Sequence, residues 1–400
     1  MNVLERFFKY IGFDTASDEA SDTCPSTAKQ LALGRALTEE MAAMGIADAR
    51  MDEWGYVYGS IPENAPGLPA IGLIAHMDVV DCVPSAPVKP RIIEGYDGGP
   101  VTLENGLVLD PALFPAVAKA KGKRLIVTDG NTSLGADDKA GVAEILTACE
   151  RLLADPSLKH GKVCVAFTPD EEIGRGADRF DVAGFGADFA YTVDGGVVGQ
   201  VEYENFNAAT GVVEVRGRSV HPGSAKDIMV NASLVAMEFA RLLPPWERPE
   251  HTEGREGFYH LADMRGQEDR ASLTYIIRDH DRERFERRKA RFRAIGDYLN
   301  GAYGPGTVEV TVRDSYRNMM EMILPRMDIV RRVEDAYRAL GIEPVSPPIR
   351  GGTDGATLTY KGLLCPNIAT GGMNFHGRYE CVAVEDMETM VEVILGIVGD

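Results

Sequence analysis

The side chains in this sequence best equipped for chemistry are five metal-binding ones, met in the order His76, Asp137, Glu172, Asp194 and His376. Each lies in a short segment that reads as a strand end or a tight turn. Two imidazoles and three carboxylates form a nitrogen and oxygen donor set without sulfur, which suits Zn²⁺ and admits Mn²⁺ or Co²⁺. Such a set meets the needs of a hydrolase with two metals. Three ligand carboxylates and a bridging hydroxide cancel the charge of two zinc ions, with water acidified toward a pKa of about 7.

The flanking residues say how these side chains are delivered. His76-Met77-Asp78 closes the apolar run from Pro69 to Ala75, so a strand presents an imidazole and a carboxylate two positions apart on one face. A histidine ligand and the acid that orients it can therefore sit together. The segment from Gly135 to Gly141 follows the strand-like run Arg124 to Thr128 and opens a helix extending to about Leu153. Thr168-Pro-Asp-Glu-Glu172 ends a β-rich run from Lys162 to Phe167, and Asp194-Gly-Gly ends another from Phe189 to Val193. On an extended backbone Glu171 and Glu172 diverge, so that one binds metal while the other faces the water. Asp138 and Asp170 read as turn or surface acids with local hydrogen bonds only.

The outer parts of the chain alternate helices (Val3 to Ile11, Thr27 to Met44, Asp138 to Leu153, Met327 to Leu340, Val384 to Ile397) with strands. This predicts an α/β fold whose mostly parallel sheet is covered by helices, with the site at the carboxyl ends of the strands. Between Asp194 and His376 the periodicity reads strand (Ala208 to Arg216), helix (Ala225 to Leu242), strand (Gly257 to Asp263), strand (Ala271 to Asp279), helix (Arg282 to Asn300) and strand (Thr307 to Asp314). That is the βαββαβ order of a ferredoxin-like unit. The expected division is a catalytic domain from 1–206 and 319–400, with 207–318 inserted as a dimerisation domain. The stretch from Asp81 to Lys123 is an excursion over the catalytic domain.

Composition narrows the partners. Four hundred residues, 44% hydrophobic, can bury more than one core, and a net charge of -19 argues against nucleic acid. The arginines of the helix from Arg282 to Asn300 read as a solvated face behind the apolar stripe Phe285, Phe292 and Ile295. Charged Glu5, Arg6 and Lys9 interrupt any signal-peptide core, and no apolar run reaches the roughly 20 residues that span a bilayer. Six cysteines without CxxC spacing read as reduced thiols of a cytoplasmic protein.

The segments His76-Met-Asp, Gly135-Ala-Asp-Asp-Lys-Ala-Gly, Pro169-Asp-Glu-Glu-Ile-Gly-Arg-Gly, Val193-Asp-Gly-Gly, Val220-His-Pro-Gly, Arg350-Gly-Gly-Thr-Asp-Gly and Thr370-Gly-Gly-Met-Asn-Phe-His-Gly together resemble the co-catalytic di-zinc metallopeptidases. That family includes carboxypeptidase G-type enzymes, succinyl-diaminopimelate desuccinylase, aminoacylases and tripeptide aminopeptidases. The likeness runs from Leu4 to Ile394. It implies two Zn²⁺ per chain, with Asp137 as the bridge, His76 and Asp194 on one metal, and Glu172 and His376 on the other. It further implies Glu171 as general base, Asp78 holding the His76 imidazole by its free nitrogen, and a cis peptide bond from Asp137 to Asp138. His221-Pro-Gly, at the start of the insertion's first helix, resembles a histidine that crosses a dimer interface to the scissile carbonyl; its other reading is a surface-loop histidine. Arg278 and Arg350 resemble positions that bind a substrate carboxylate, with structural salt bridges as the competing reading. The activity implied is release of the N-terminal residue of short peptides, most of all tripeptides, by a homodimer. A dipeptidase, an N-acyl amino acid deacylase or a non-catalytic peptide-binding protein are the alternatives, because a fold alone does not fix a substrate.

Overall fold

The computed structural model describes residues 1–399, and the chain divides into two compact units. One comprises Met1–Tyr203, Glu321–Pro347 and Thr353–Asp400; the other comprises Glu204–Met320 with Pro348–Gly352. The return of Pro348–Gly352 to the second unit puts Arg350 there, three residues before the chain re-enters the first.

The first unit is built on a seven-stranded mixed sheet. Its centre is parallel: Val163–Thr168 lies beside Ile71–His76, then Phe189–Gly195, then Asn367–Ala369. Both edges are antiparallel, with Val57–Ile61 and Arg50–Met51 on one side and Val201–Glu202 on the other. Every residue of Ile71–His76 and Val163–Thr168 is buried, the burden of a parallel strand covered on both faces, which is why these segments read as unbroken apolar runs. His76 pairs with Thr168, and Ile74 with Thr192, so His76, the 170–172 segment and Asp194 emerge together at the carboxyl end of the sheet.

The helix Ala136–Ala154 lies against this sheet, and its first turn is broken by non-helical dihedrals at Asp137 and Asp138, whose peptide bond is cis. Its packing is close because small residues face the strands. A Cβ at Gly141 would collide with the Val193 carbonyl oxygen and the Asp138 carboxylate. The excursion anticipated from 81 to 123 gives the strand Arg91–Ile93 to a separate four-stranded sheet with Leu125–Val127, Cys381–Ala383 and Gly372–Met373. The strand before the Asp137 turn thus belongs to this small sheet and not to the central one.

The second unit is an antiparallel sheet, ordered Phe258–Gly266, Arg270–Asp279, Asn207–Arg216, Val308–Tyr316, packed by the helices Ala232–Leu242 and Arg282–Tyr303. Phe292 is fully buried among Phe239, Tyr259 and Tyr275, with ring centroids 4.9, 6.3 and 5.3 Å away. The helix expected from Ala225 starts only at Ala232, where the Asn231 side chain accepts from the Leu234 N–H. His221 accordingly heads a separate 3₁₀ turn, Pro222–Ser224, and not the helix. The cap fixes this start, whereas the apolar pattern alone extends back to Ala225.

Gly141→Ala raises helix propensity by about 1 kcal/mol, yet the collision with a strand carbonyl should reverse the sign. Overpacking of this kind costs about 1–3 kcal/mol, and urea unfolding of metal-free protein should show a lower midpoint. A midpoint at or above the parent's would contradict the packing.

Candidate metal centre

The structure brings all five expected ligand residues together. Asp137 is central: its Oδ1 lies 2.9 Å from His76 Nε2 and its Oδ2 lies 3.0 Å from His376 Nε2. His76 Nε2 is also 3.4 Å from Asp194 Oδ1, and His376 Nε2 is 3.0 Å from Glu172 Oε2. Two overlapping clusters result, His76 with Asp137 and Asp194, and Asp137 with Glu172 and His376, each with its donor atoms within 4.8 Å of one another. The side chains of His76 and Glu172 are buried, whereas the His376 side chain is 53% exposed, so the second cluster meets solvent.

Charge in this cavity is out of balance. Glu172 is pushed up to about 7 by burial and by the neighbouring Asp137, and Asp194 up to about 6, chiefly by burial. Glu171 is driven well above the carboxylate range by burial and then by Asp194. Burial alone would raise Asp137, but hydrogen bonds from His376 and His76 hold it below the usual range. His376 is raised to about 11 by its hydrogen bonds to Asp137 and Glu172. Carboxylates that resist ionisation beside imidazoles drawn toward their cationic form are a donor set short of positive charge. Divalent cations between them would supply it, and the residues fit two.

Surrounding groups fix these donors. His76 Nδ1 is 3.0 Å from the backbone oxygen of Asp78 and 3.5 Å from its Oδ1. The expected partner residue is therefore in place, but its main-chain carbonyl makes the hydrogen bond. The Asp78 carboxylate is otherwise engaged, accepting the N–H groups of Glu171 and Glu172 at 2.9 and 3.1 Å. These glutamates stand in a 3₁₀ turn, Glu171–Ile173, and not on extended backbone; successive side chains still diverge there.

Asp138 and Asp170, expected as turn or surface acids, are both buried, which corrects that reading. Asp138 accepts from the His76 and Gly141 N–H groups. Asp170, in the left-handed region at φ 61°, accepts from Ser26 N, Ser26 Oγ and Gln30 Nε2. His76, Ser26 and Gln30 lie 62, 144 and 140 residues away from the acids they bond, which is why local pattern missed the burial. Asp354, in the Arg350-Gly-Gly-Thr-Asp-Gly segment, is buried and accepts from Thr168 Oγ1 at 3.0 Å. Glu380 was also overlooked, since a single acid four residues beyond His376 carries no spacing signal.

The other expected substrate residues belong to the second unit. His221 is exposed, and its Nδ1 accepts the Gly223 N–H at 3.1 Å. Arg350 donates to the Gly254 and Glu256 carbonyls and to Thr252 O and Oγ1, and lies over the Phe206 and Phe258 rings. Arg278 donates to the Arg350 carbonyl and lies near the Phe258 and Tyr316 rings, with its Nε buried and without a partner among the described residues.

Residues 135–400 match the peptidase family M20/M25/M40. The chain is also 54% identical over 397 residues to a peptidase T of Clostridium perfringens, an alignment covering 99% of this chain and 98% of the relative. The chain belongs to the peptidase family M20/M25/M40. Among solved structures, the fold resembles an aminopeptidase of Bacillus cereus, with a TM-score of 0.79 at 22% identity covering 99% and 97% of the two chains. It also resembles a dinuclear metal-binding M20 peptidase of Bacillus subtilis, with a TM-score of 0.65 at 12% identity covering 99% and 96%. No helix among the described residues is long and apolar enough to cross a membrane.

Proposed function

We propose that this M20 peptidase is a metal-dependent aminopeptidase of the cytoplasm that releases the N-terminal residue of short peptides, foremost tripeptides. The observation that carries the reading is the placement of Asp137, whose two oxygens face different imidazoles, in a chain 54% identical to a peptidase T. His76 and Asp194 would hold one cation, Glu172 and His376 the other, with Asp137 shared; Zn²⁺ fits these donors, as do Mn²⁺ and Co²⁺. When bound, the pair supplies Lewis acidity, making water a stronger acid and a carbonyl a better electrophile. Glu171 takes the proton from the attacking water and returns it to the leaving amine. Asp78 couples these duties, since its backbone orients His76 while its carboxylate anchors the main chain of Glu171 and Glu172.

His221 is suited to stabilising the oxyanion. Acceptance of the Gly223 N–H at Nδ1 leaves the proton of the neutral ring on Nε2, a donor. The second unit also offers a dimer surface. Leu234 and Met237 on one helix are 62% and 51% exposed, and the unpaired edge strand Phe258–Gly266 exposes Leu261 and Met264. Apolar side chains beside an open strand edge favour a twofold contact, through which each His221 would complete the neighbouring subunit's site. Arg350 has four acceptors of its own chain, so Arg278, with a free Nε, is the better candidate for the substrate carboxylate.

The defining test compares free tripeptides with their N-acetylated forms, with and without a chelator. Tripeptides should be cleaved at the first bond and chelation should abolish the activity; faster cleavage of N-acyl amino acids would make the chain a deacylase.

Glu171→Gln leaves the five ligands intact, so it should retain both metals while losing about 10²-fold or more in turnover. Glu172→Gln should instead release metal by elemental analysis. The reverse pattern would exchange the two roles.

Equal amounts of Glu171→Ala and His221→Ala chains, refolded together, should place both functional groups in one site of each mixed dimer. About half the dimers are mixed, so about one quarter of sites should regain parental rates. Verified mixed dimers without rescue would remove His221 from the partner's site.

A further inference from the structure

Glu380 is 2% exposed and forms no salt bridge among the described residues, and its carboxylate is engaged with the main chain of the Asp137 turn. Oε2 accepts the N–H groups of Leu134 and Gly135 at 2.7 and 2.9 Å, and Oε1 accepts that of Asp137 at 2.9 Å. Gly135 has φ 77°, the left-handed conformation in which successive N–H groups converge into an anion-binding concavity. Here the anion comes from the same polypeptide, 243 residues further on. Lys139, whose charged form Glu380 favours, gives its own hydrogen bond to the Phe13 carbonyl.

The loop that supplies Glu380 also supplies His376. Asp137 is thus gripped at both ends by one segment, its carboxylate by His376 and its amide by Glu380. That segment is rooted at Cys381–Ala383, which pairs with Leu125–Val127, the strand leading into the Asp137 turn. Both halves of the grip therefore share a base in the small sheet. A shared carboxylate must present its two oxygens in different directions at once, and a turn held only by its own residues would let them swing.

Resting on the dinuclear reading above, we propose that Glu380 is the positioning residue of the bridging carboxylate, presetting the Asp137 turn so that both metals bind and are coupled through it. It touches neither substrate nor metal. The probe is metal binding to the full-length apoprotein, followed calorimetrically with Zn²⁺, together with the exchange-coupled paramagnetic resonance of the Mn²⁺-loaded form. Glu380→Gln keeps the shape but sets an amide N–H₂ against a backbone N–H in either orientation. It should weaken binding about 10–100-fold, the usual cost of losing a group that orients a ligand, and should abolish the coupled signal. Glu380→Asp, which keeps the charge, should recover part of both. Glu144→Gln, at a buried carboxyl of the helix Ala136–Ala154 with no hydrogen-bond partner among the described residues, should change neither. A folded Glu380→Gln protein with parental affinity and coupling overturns the proposal. Should neither Glu380 variant fold, amide exchange in the parental apoprotein decides. Protection at Leu134, Gly135 and Asp137 before metal is added supports a preset turn, and exchange at open-loop rates overturns it. Failure of the parent to take up two metals would instead overturn the dinuclear reading.

Discussion

One carboxylate, that of Asp137, faces two imidazoles that come from opposite ends of the chain, and the structure of the first unit follows from the need to keep it there. Like charges crowd around it, since Glu172, Asp194 and Glu171 are all withdrawn from water and all pushed upward in pKa. In a low-dielectric interior such repulsion reaches several kcal/mol. The fold must therefore hold the acids against it until cations compensate, and rigid strand ends do this better than loops. His76 and Asp194 emerge from neighbouring parallel strands, while Asp137 begins a helix that Gly141 allows to lie directly on one of them.

A second layer of acids gives the first its directions. Asp78 collects the N–H groups of Glu171 and Glu172, Asp138 those of His76 and Gly141, and Asp170 that of Ser26. These carboxylates hold main chain, so each fixes where a neighbouring side chain begins. This accounts for buried acids well in excess of any plausible coordination number. Charge-assisted hydrogen bonds are about twice as strong as neutral ones, and a carboxylate can gather several backbone donors that would otherwise be buried unpaired.

The second unit is organised by different forces. Its core is aromatic and aliphatic, centred on Phe292, and its arginines are largely consumed internally. Arg288 bonds Asp279 and Glu247, and Lys289 is buried against Asp314. The arginine-rich helix thus turns its apolar stripe inward, as Phe285, Phe292 and Ile295 foretell, and much of its charge closes onto the same unit.

By itself the sequence determined the candidate ligand residues, the alternation of strands and helices, and the order of the second unit, because each is written in residue type and short spacing. Apolar runs ending in His76 or Asp194 announce buried strands with a polar tip. Tertiary structure decided which backbone atom orients His76, that Asp138 and Asp170 are interior, that the strand before Asp137 joins a small separate sheet, and that Glu380 secures the turn. These depend on groups many residues apart brought within hydrogen-bonding distance. A hydrogen bond extends only about 3 Å, so such partnerships leave no periodicity behind and exist only once the sheets have formed.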